Sequence, residues 1–162
     1  MYYPDLTPYE YAFKTEYNVV NVGWLSKDHE FPTGDVSELF LDNLQKFMIK
    51  DRHNIMRGYH HCEVCNDEVF HTIKYNDVLI HLGNGEVWIP DVSKELIYAA
   101  PTLLLHHITE HNYLPPSNFI KSCEEFNFES DWTASAVINI EMKKMIPMSN
   151  IDCSNKDVYY VN

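Results

Sequence analysis

The chain has 162 residues, 45% of them hydrophobic, which is enough for one packed domain and too little for two. Twelve basic residues against 24 acidic ones give a net charge of −12, which disfavours non-specific nucleic-acid binding, attracts a basic protein partner and also serves solubility. No apolar run reaches the ~20 residues of a membrane span, and the N-terminus lacks the basic and apolar regions of a signal peptide, so we expect a cytoplasmic protein that does not enter a membrane.

The first third of the chain predicts one strand and one capped helix. A β-branched run within residues 18–25 indicates the strand, and a turn follows at residues 31–34. Asp35 is predicted to cap the helix, because Glu38 stands three residues later as in a capping box. The helix is predicted to end near Lys50 and Asp51. Its apolar residues recur at helical spacing: Val36, Leu39, Phe40, Leu44, Phe47 and Met48.

The middle of the chain predicts a small antiparallel sheet. Strands are expected over residues 69–75 and 78–82, with a turn at Asn76 and Asp77. The Gly83-Asn84-Gly85 sequence is a hairpin signal, because glycine tolerates positive φ. Strands over residues 86–90 and 95–99 would complete the meander.

Two short helices follow the predicted strands. Pro101 is placed in the first turn of a helix over residues 102–111, where its missing N–H costs nothing. Asn112 is expected to stop this helix, and a second one is predicted over residues 117–126. Residues 132–142 alternate weakly and are compatible with a strand or a helix.

These elements predict one α+β domain over residues 1–126, in which a capped N-terminal helix accompanies the small sheet. Residues 127–162 would then form a C-terminal extension, packed on the domain or trailing from it. No oligomeric state is predicted.

The most informative motif is a Cys-x-x-Cys pair, Cys62 and Cys65, preceded by two histidines. Thiols stay reduced in the cytoplasm, so this pair favours metal ligation over a disulfide. The other two cysteines lack patterned neighbours. We interpret Cys123 as a buried small hydrophobe and Cys153 as a thiol of the tail.

A predicted helix supplies the remaining ligand candidates, His106, His107 and His111. Two thiolates and two imidazoles make a tetrahedral zinc site. The order of cysteine knuckle, hairpin and helix is the layout of treble-clef zinc sites, in which the metal ties a loop to a helix. The sequence therefore predicts a Zn²⁺ ion that adds directly to the free energy of folding.

Helix angles alone favour His107 with His111 as the ligand pair. Successive residues are about 100° apart, so His107 and His111 share a face whereas His106 and His111 diverge. Zinc fingers nevertheless accept three to five intervening residues between histidines. Further candidates lie outside the helix: His60, His61, His71 and His81.

Other interpretations of the motif stand beside the structural zinc site. The cysteines could be a metal-free buried pair, or a redox dithiol, although no strand-to-helix step places Cys62 at a helix N-terminus where its pKa would fall. A catalytic zinc keeps one position open for water. If one histidine were not a ligand, Glu110 could serve as a base, although we expect the helix to point it away. No catalytic residue is assigned.

A set of motifs, taken in order, resembles a family of small uncharacterised bacterial proteins over roughly residues 1–120. The motifs are Asn21-Val22-Gly23-Trp24-Leu25, Phe31-Pro32-Thr33-Gly34, His61-Cys62-x-x-Cys65, Gly83-Asn84-Gly85-Glu86-Val87, Tyr98-Ala99-Ala100-Pro101-Thr102-Leu103 and His111-Asn112-Tyr113-Leu114-Pro115-Pro116-x-x-Phe119.

The resemblance implies a choice among the histidines. In that family the first helix histidine aligns with His106, and an aromatic residue commonly occupies the place of His107. The implied ligands are therefore Cys62, Cys65, His106 and His111.

Two functions remain as hypotheses. The first is a non-enzymatic interaction protein with a structural zinc ion, for example an immunity protein whose acidic surface neutralises a basic toxin. The second is a metal-dependent hydrolase or nuclease-like enzyme. The negative charge of the chain opposes a nucleic-acid substrate for it.

Overall fold

The structure is a computed structural model that describes residues 1–12, 17–65 and 68–145, with side chains described up to residue 140. It confirms the α+β class. Its elements in chain order are β1 (Val19–Asn21), α1 (Glu38–Lys50), β2 (Arg52–His53), β3 (Thr72–Tyr75), β4 (Val78–His81), β5 (Glu86–Pro90), β6 (Ile97–Pro101), α2 (Leu104–His111), α3 (Ser117–Glu124) and α4 (Ala134–Met145). No helix in the described part of the chain is both long enough and apolar enough to cross a membrane.

The larger sheet has four strands in the order β1-β6-β5-β2. Strands β5 and β6 form an antiparallel hairpin, and β2 pairs antiparallel with β5. Strand β1 runs parallel to β6, so the prediction of a purely antiparallel sheet is wrong. The physical reason is the long connection between β1 and β6, which gives the chain room to return in the same direction.

Both faces of the hairpin β5–β6 are covered. Val87 and Ile89 point to the core shared with α1, α2 and α3, whereas Trp88 points to the other face, as the two-residue period of a strand requires. On that second face Ala134 and Val137 of α4 are buried against the sheet. The sequence is compatible with a strand or a helix over residues 132–142. In the structure these residues are largely helical. The division at residue 126 stays a prediction.

The helix ends differ in detail from the sequence-based expectations. Ser37 caps α1 by accepting a hydrogen bond from the Phe40 N–H at 3.0 Å, so the prediction of Asp35 as the cap is wrong. Ser37 has the extended backbone that a cap needs, directly before the first helical residue. Pro101 is the last residue of β6 rather than the start of α2. The predicted stop at Asn112 is confirmed by its left-handed φ of 57°.

Strands β3 and β4 form a separate two-stranded sheet, called the ribbon below. The predicted turn at Asn76 and Asp77 joins them, and both residues have positive φ. The predicted hairpin at Gly83-Asn84-Gly85 is wrong, because this segment links the ribbon to β5 of the other sheet. These glycines instead allow the backbone of another segment to approach closely.

Candidate metal centre

The segment that carries the cysteines is held by the backbone of the link between the two sheets. The His60 N–H donates to the Gly83 carbonyl at 2.7 Å, and the Met56 N–H donates to the Asn84 carbonyl at 2.7 Å. Gly83 has a φ of 88°, and a Cβ on it would lie 2.3 Å from the His60 carbonyl oxygen. Only glycine fits there, so Gly83 fixes the approach of the segment that leads to Cys62.

The histidines are presented by α2, which is anchored in the core. Leu104 and Ile108 are buried. Nδ1 of the buried His107 lies 3.2 Å from the carbonyl oxygen of Gly23. The left-handed residue Asn112 ends the helix directly after His111. The last histidine therefore stands at the helix terminus.

Four donor atoms converge between the two segments. Cys62, Cys65, His106 and His111 each offer one ligand atom, and these atoms all lie within 4.8 Å of one another. Cys65 Sγ is 3.1 Å from Nε2 of His106 and 3.1 Å from Nε2 of His111. Cys62 Sγ is 3.3 Å from Nε2 of His111. The Cys65 N–H also donates to Cys62 Sγ at 3.5 Å, a contact that stabilises a thiolate.

These separations fit a single metal ion. Zinc–sulfur bonds of about 2.3 Å and zinc–nitrogen bonds of about 2.0–2.1 Å place sulfur and nitrogen about 3.6 Å apart across a tetrahedral angle. The sulfur–nitrogen distances of 3.1 to 3.3 Å are close to that value. The four residues therefore could bind a metal ion, and a donor set of two sulfurs and two imidazoles is typical of zinc.

The structure brings His106 rather than His107 to the cysteines, so the interpretation from helix angles alone is wrong. Helical side chains lean toward the N-terminus of their helix, so His111 at the helix end leans back toward His106. The centroids of the two rings are 5.1 Å apart. His107 points into the core. Its burial lowers its pKa to about 3, so it stays neutral at pH 7.

The remaining histidine candidates lie outside the cluster. His60 Nε2 is 3.3 Å from the Tyr11 hydroxyl, and the His61 ring packs on Phe70. The His71 ring stacks on His106 with centroids 3.7 Å apart, which fixes the orientation of a candidate ligand from outside. His81 faces Tyr59 at 6.1 Å. Sequence reasoning missed this supporting position of His71.

One side of the cluster faces a groove. Cys62 and His106 are buried, whereas Cys65 and His111 are partly exposed. The groove has a volume of about 400 Å³, and its lining also includes Glu110. Glu110 is exposed and borders the same groove as His111, and the expectation that its side chain points away from the ion stays a prediction.

Among the described residues, one further cysteine lies apart from the cluster. Cys123 is fully buried in the core, as predicted, and its burial raises the pKa of its thiol. Cys153 lies outside the described residues.

Comparison with known proteins assigns a family and no activity. No curated protein and no solved structure matches the chain. One family model matches residues 1–124, which are most of the chain. The chain therefore belongs to the family described as "Domain of unknown function (DUF7919)".

Proposed function

We propose that this protein is a non-enzymatic interaction module whose structural zinc ion is held by Cys62, Cys65, His106 and His111. The observation that carries the proposal is the convergence of four donor atoms within 4.8 Å. Four protein ligands fill a tetrahedral shell, and a zinc ion without an open position stabilises structure rather than activating water.

The zinc ion would join parts of the chain that bury little surface by themselves. The ribbon has mostly exposed or half-exposed side chains, with Ile80 as its buried residue. The cysteine knuckle precedes the ribbon, whereas the helix that carries the histidines is rooted in the main core. The metal would thus tie the knuckle and ribbon to that core, in a treble-clef-like arrangement with the β5–β6 hairpin inserted before the helix.

Charge and exposed apolar surface support a protein partner. The net charge of −12 favours a basic partner and would speed the encounter electrostatically. Leu79 of the ribbon is 57% exposed, and Phe70, which precedes the ribbon in the chain, is 60% exposed. Large apolar side chains in such positions are typical of interaction surfaces. A toxin-immunity role, in which an acidic protein neutralises a basic toxin, has this profile.

Affinity capture from the native host tests the interaction. We expect a basic protein to be recovered, and the purified pair to bind with an affinity that falls as salt rises. Leu79→Lys should weaken binding at least tenfold. Val92→Lys is the matched control, because Val92 is also exposed but lies outside the ribbon. Failure of every purified candidate to form a stoichiometric complex would contradict the proposal.

The groove beside the cluster favours one second candidate, a metal-dependent hydrolase. Glu110 borders the groove together with His106 and His111, so it is placed to act as a base if one histidine left the shell. Small phosphoesters are the suitable substrates for an assay. Turnover that disappears on chelation and in Glu110→Gln would favour this candidate, and a filled tetrahedral shell would exclude it.

A further inference from the structure

A second pocket lies on the face of the sheet that α4 partly covers. Glu86 and Pro101 are register partners at the end of the hairpin β5–β6, and Glu86 shares its face with Trp88. Helix α4 covers Trp88, and beyond it the pocket opens at Glu86. None of the four candidate metal ligands lines this pocket.

The floor of the pocket is a buried carboxylate. Glu86 is 1% exposed, and its Oε1 accepts hydrogen bonds from the Tyr9 hydroxyl at 3.1 Å and from Asn54 Nδ2 at 3.1 Å. Its Oε2 accepts one from Trp88 Nε1 at 3.1 Å. A carboxylate offers about four acceptor positions, so one remains for a ligand.

The carboxylate has no permanent cationic partner within the described residues, where no lysine or arginine forms an ion pair with Glu86. Burial raises the pKa of Glu86, because its negative charge is removed from water without a full counter-charge. At the rim, the Met1 ammonium pairs with Glu63 and is thereby neutralised. A cationic ligand would supply that counter-charge at the floor of the pocket.

The walls of the pocket are mainly apolar and aromatic, and His60, His61 and Glu63 are among the polar residues that also line it. Tyr11 and Trp24 lie with their ring centroids 4.9 Å apart, and Leu25, Met56 and Leu103 complete the apolar lining. The accessible volume of about 50 Å³ suits one small head group and is far below the about 300–1,000 Å³ of pockets for drug-sized ligands. Aromatic faces attract cations as well as aliphatic chains.

We propose that this pocket binds a single ammonium or guanidinium group on an aliphatic stem. The cationic head would donate to the free acceptor position of Glu86, and the stem would lie against Tyr11, Trp24 and Met56. A small free amine and a lysine or arginine side chain of another protein present this same chemistry. The site differs from the metal cluster in its residues and in its ligand.

Titration with matched probes tests the proposal. The probes are n-butylguanidinium, n-butylammonium and the neutral 1-pentanol, each followed by the indole signals of the tryptophans in NMR spectra at pH 7.5. We expect at least one cation to bind tenfold or more tightly than the alcohol. Equal binding of the alcohol and both cations, or no binding of any of them, overturns the proposal.

A short arginine-containing peptide separates the two sources of the cation. Binding of the peptide tenfold tighter than n-butylguanidinium would identify a protein side chain as the ligand. Peptide binding no tighter than that of the small cation would identify a free amine or guanidine. Both results support the pocket chemistry, because both require the cationic head.

Variants locate the binding. Glu86→Gln should abolish the preference for cations, but it also disturbs three hydrogen bonds of the core. Met56→Lys is therefore the decisive variant, because Met56 is 48% exposed at the rim and a tethered ammonium there would compete for Glu86. We expect at least tenfold weaker cation binding.

The matched control is Ile55→Lys. Ile55 is exposed, adjacent in the chain and absent from the pocket lining, so the same added charge should leave binding within twofold. Equal losses in the two variants would overturn the proposal. Zinc content measured on the same samples keeps this test separate from that of the metal centre.

Discussion

The four-stranded sheet and the ribbon represent two ways of stabilising β-structure in one small protein. Every residue of β5 and β6 is buried, between the helical core on one face and α4 on the other. In the ribbon, by contrast, most side chains are exposed or half-exposed. An isolated two-stranded ribbon is at best marginally stable in water.

The four-stranded sheet and the ribbon are therefore ordered for different physical reasons. The sheet is stabilised by burial of apolar surface, at about 25 cal/mol per Å². The segment that leads to the knuckle approaches Gly83 at His60, and the knuckle meets α2 where the donors of Cys62, Cys65, His106 and His111 converge. We therefore expect loss of the metal to release the ribbon first and to leave the four-stranded sheet in place.

Replacement of a candidate ligand should have the largest effect. We expect Cys65→Ser to lose stoichiometric zinc and to speed amide hydrogen exchange at least tenfold across residues 56–65 and 68–82, because structural zinc contributes on the order of 10–16 kcal/mol in small zinc peptides. Amides of β5 and β6 should stay protected. Hydrogen exchange with mass spectrometry measures both regions at once.

Cys123→Ala is the matched control, since Cys123 is a buried cysteine of the core outside the cluster. It should lose some packing energy and keep its zinc. Equal loss of metal in both variants would contradict the ligand assignment.

Core truncation should have the next largest effect and should act on the sheet. Leu44 is fully buried between α1 and the sheet, so Leu44→Ala should lower the free energy of unfolding by about 2–5 kcal/mol. Leu79→Ala, on the exposed side of the ribbon, should change it by less than about 0.5 kcal/mol. Urea denaturation compares the two, and similar values would remove the distinction between the regions.

Gly83→Ala should have an intermediate effect at the boundary between the regions. The added methyl would approach the His60 carbonyl oxygen at a φ that L-residues rarely adopt, which costs about 1–3 kcal/mol. Gly58→Ala is the control, because nothing lies within 4 Å of a Cβ there. It should be neutral or stabilising by about 0.4–1 kcal/mol. Thermal unfolding of both variants decides whether Gly83 matters through its close contact.

The smallest effect is expected from acid. Protonation of Asp51 should lower the stability of the region around the four-stranded sheet. Burial alone would raise the pKa of Asp51, but the His53 ring, whose Nε2 lies 3.0 Å from Asp51 Oδ1, and hydrogen bonds from the Ala134 N–H and the Ser135 hydroxyl outweigh it and lower the pKa. Because the folded pKa lies below the unfolded one, this stabilisation is present above the ordinary carboxyl pKa and is lost as pH falls through the folded value.

Asp51→Asn should remove this part of the pH dependence and loosen α4, as followed by unfolding curves between pH 7 and pH 3. Asp77→Asn, at the exposed turn of the ribbon, is the matched control. A wild-type and an Asp51→Asn protein with parallel pH profiles would show that the carboxylate does not anchor α4.

Local patterns made much of the structure predictable from the sequence. Helical spacing of apolar residues located α1, and the stop at Asn112 located the end of α2. The Cys-x-x-Cys pair with the histidines of α2 identified the cluster, with the resemblance favouring His106. Other features depend on distant contacts that no local pattern encodes. The parallel pairing of β1 with β6 and the approach of Gly83 to His60 are examples.

Glu86 was missed as a pocket residue, although a signal was available. Glu86 is the first residue of β5, and the rest of this strand is apolar. A charged residue in such a run is buried only together with polar partners. Its partners Tyr9 and Asn54 come from separate loops, so the sequence could have indicated a buried acid but not the pocket around it.

X-ray absorption at the zinc edge of the purified protein is the most direct test of the metal centre. The account predicts one zinc ion per chain, with two sulfur ligands at about 2.3 Å and two nitrogen ligands at about 2.0–2.1 Å. A protein that folds with the ribbon ordered and without stoichiometric metal, or a bound zinc ion without sulfur ligands, would contradict it.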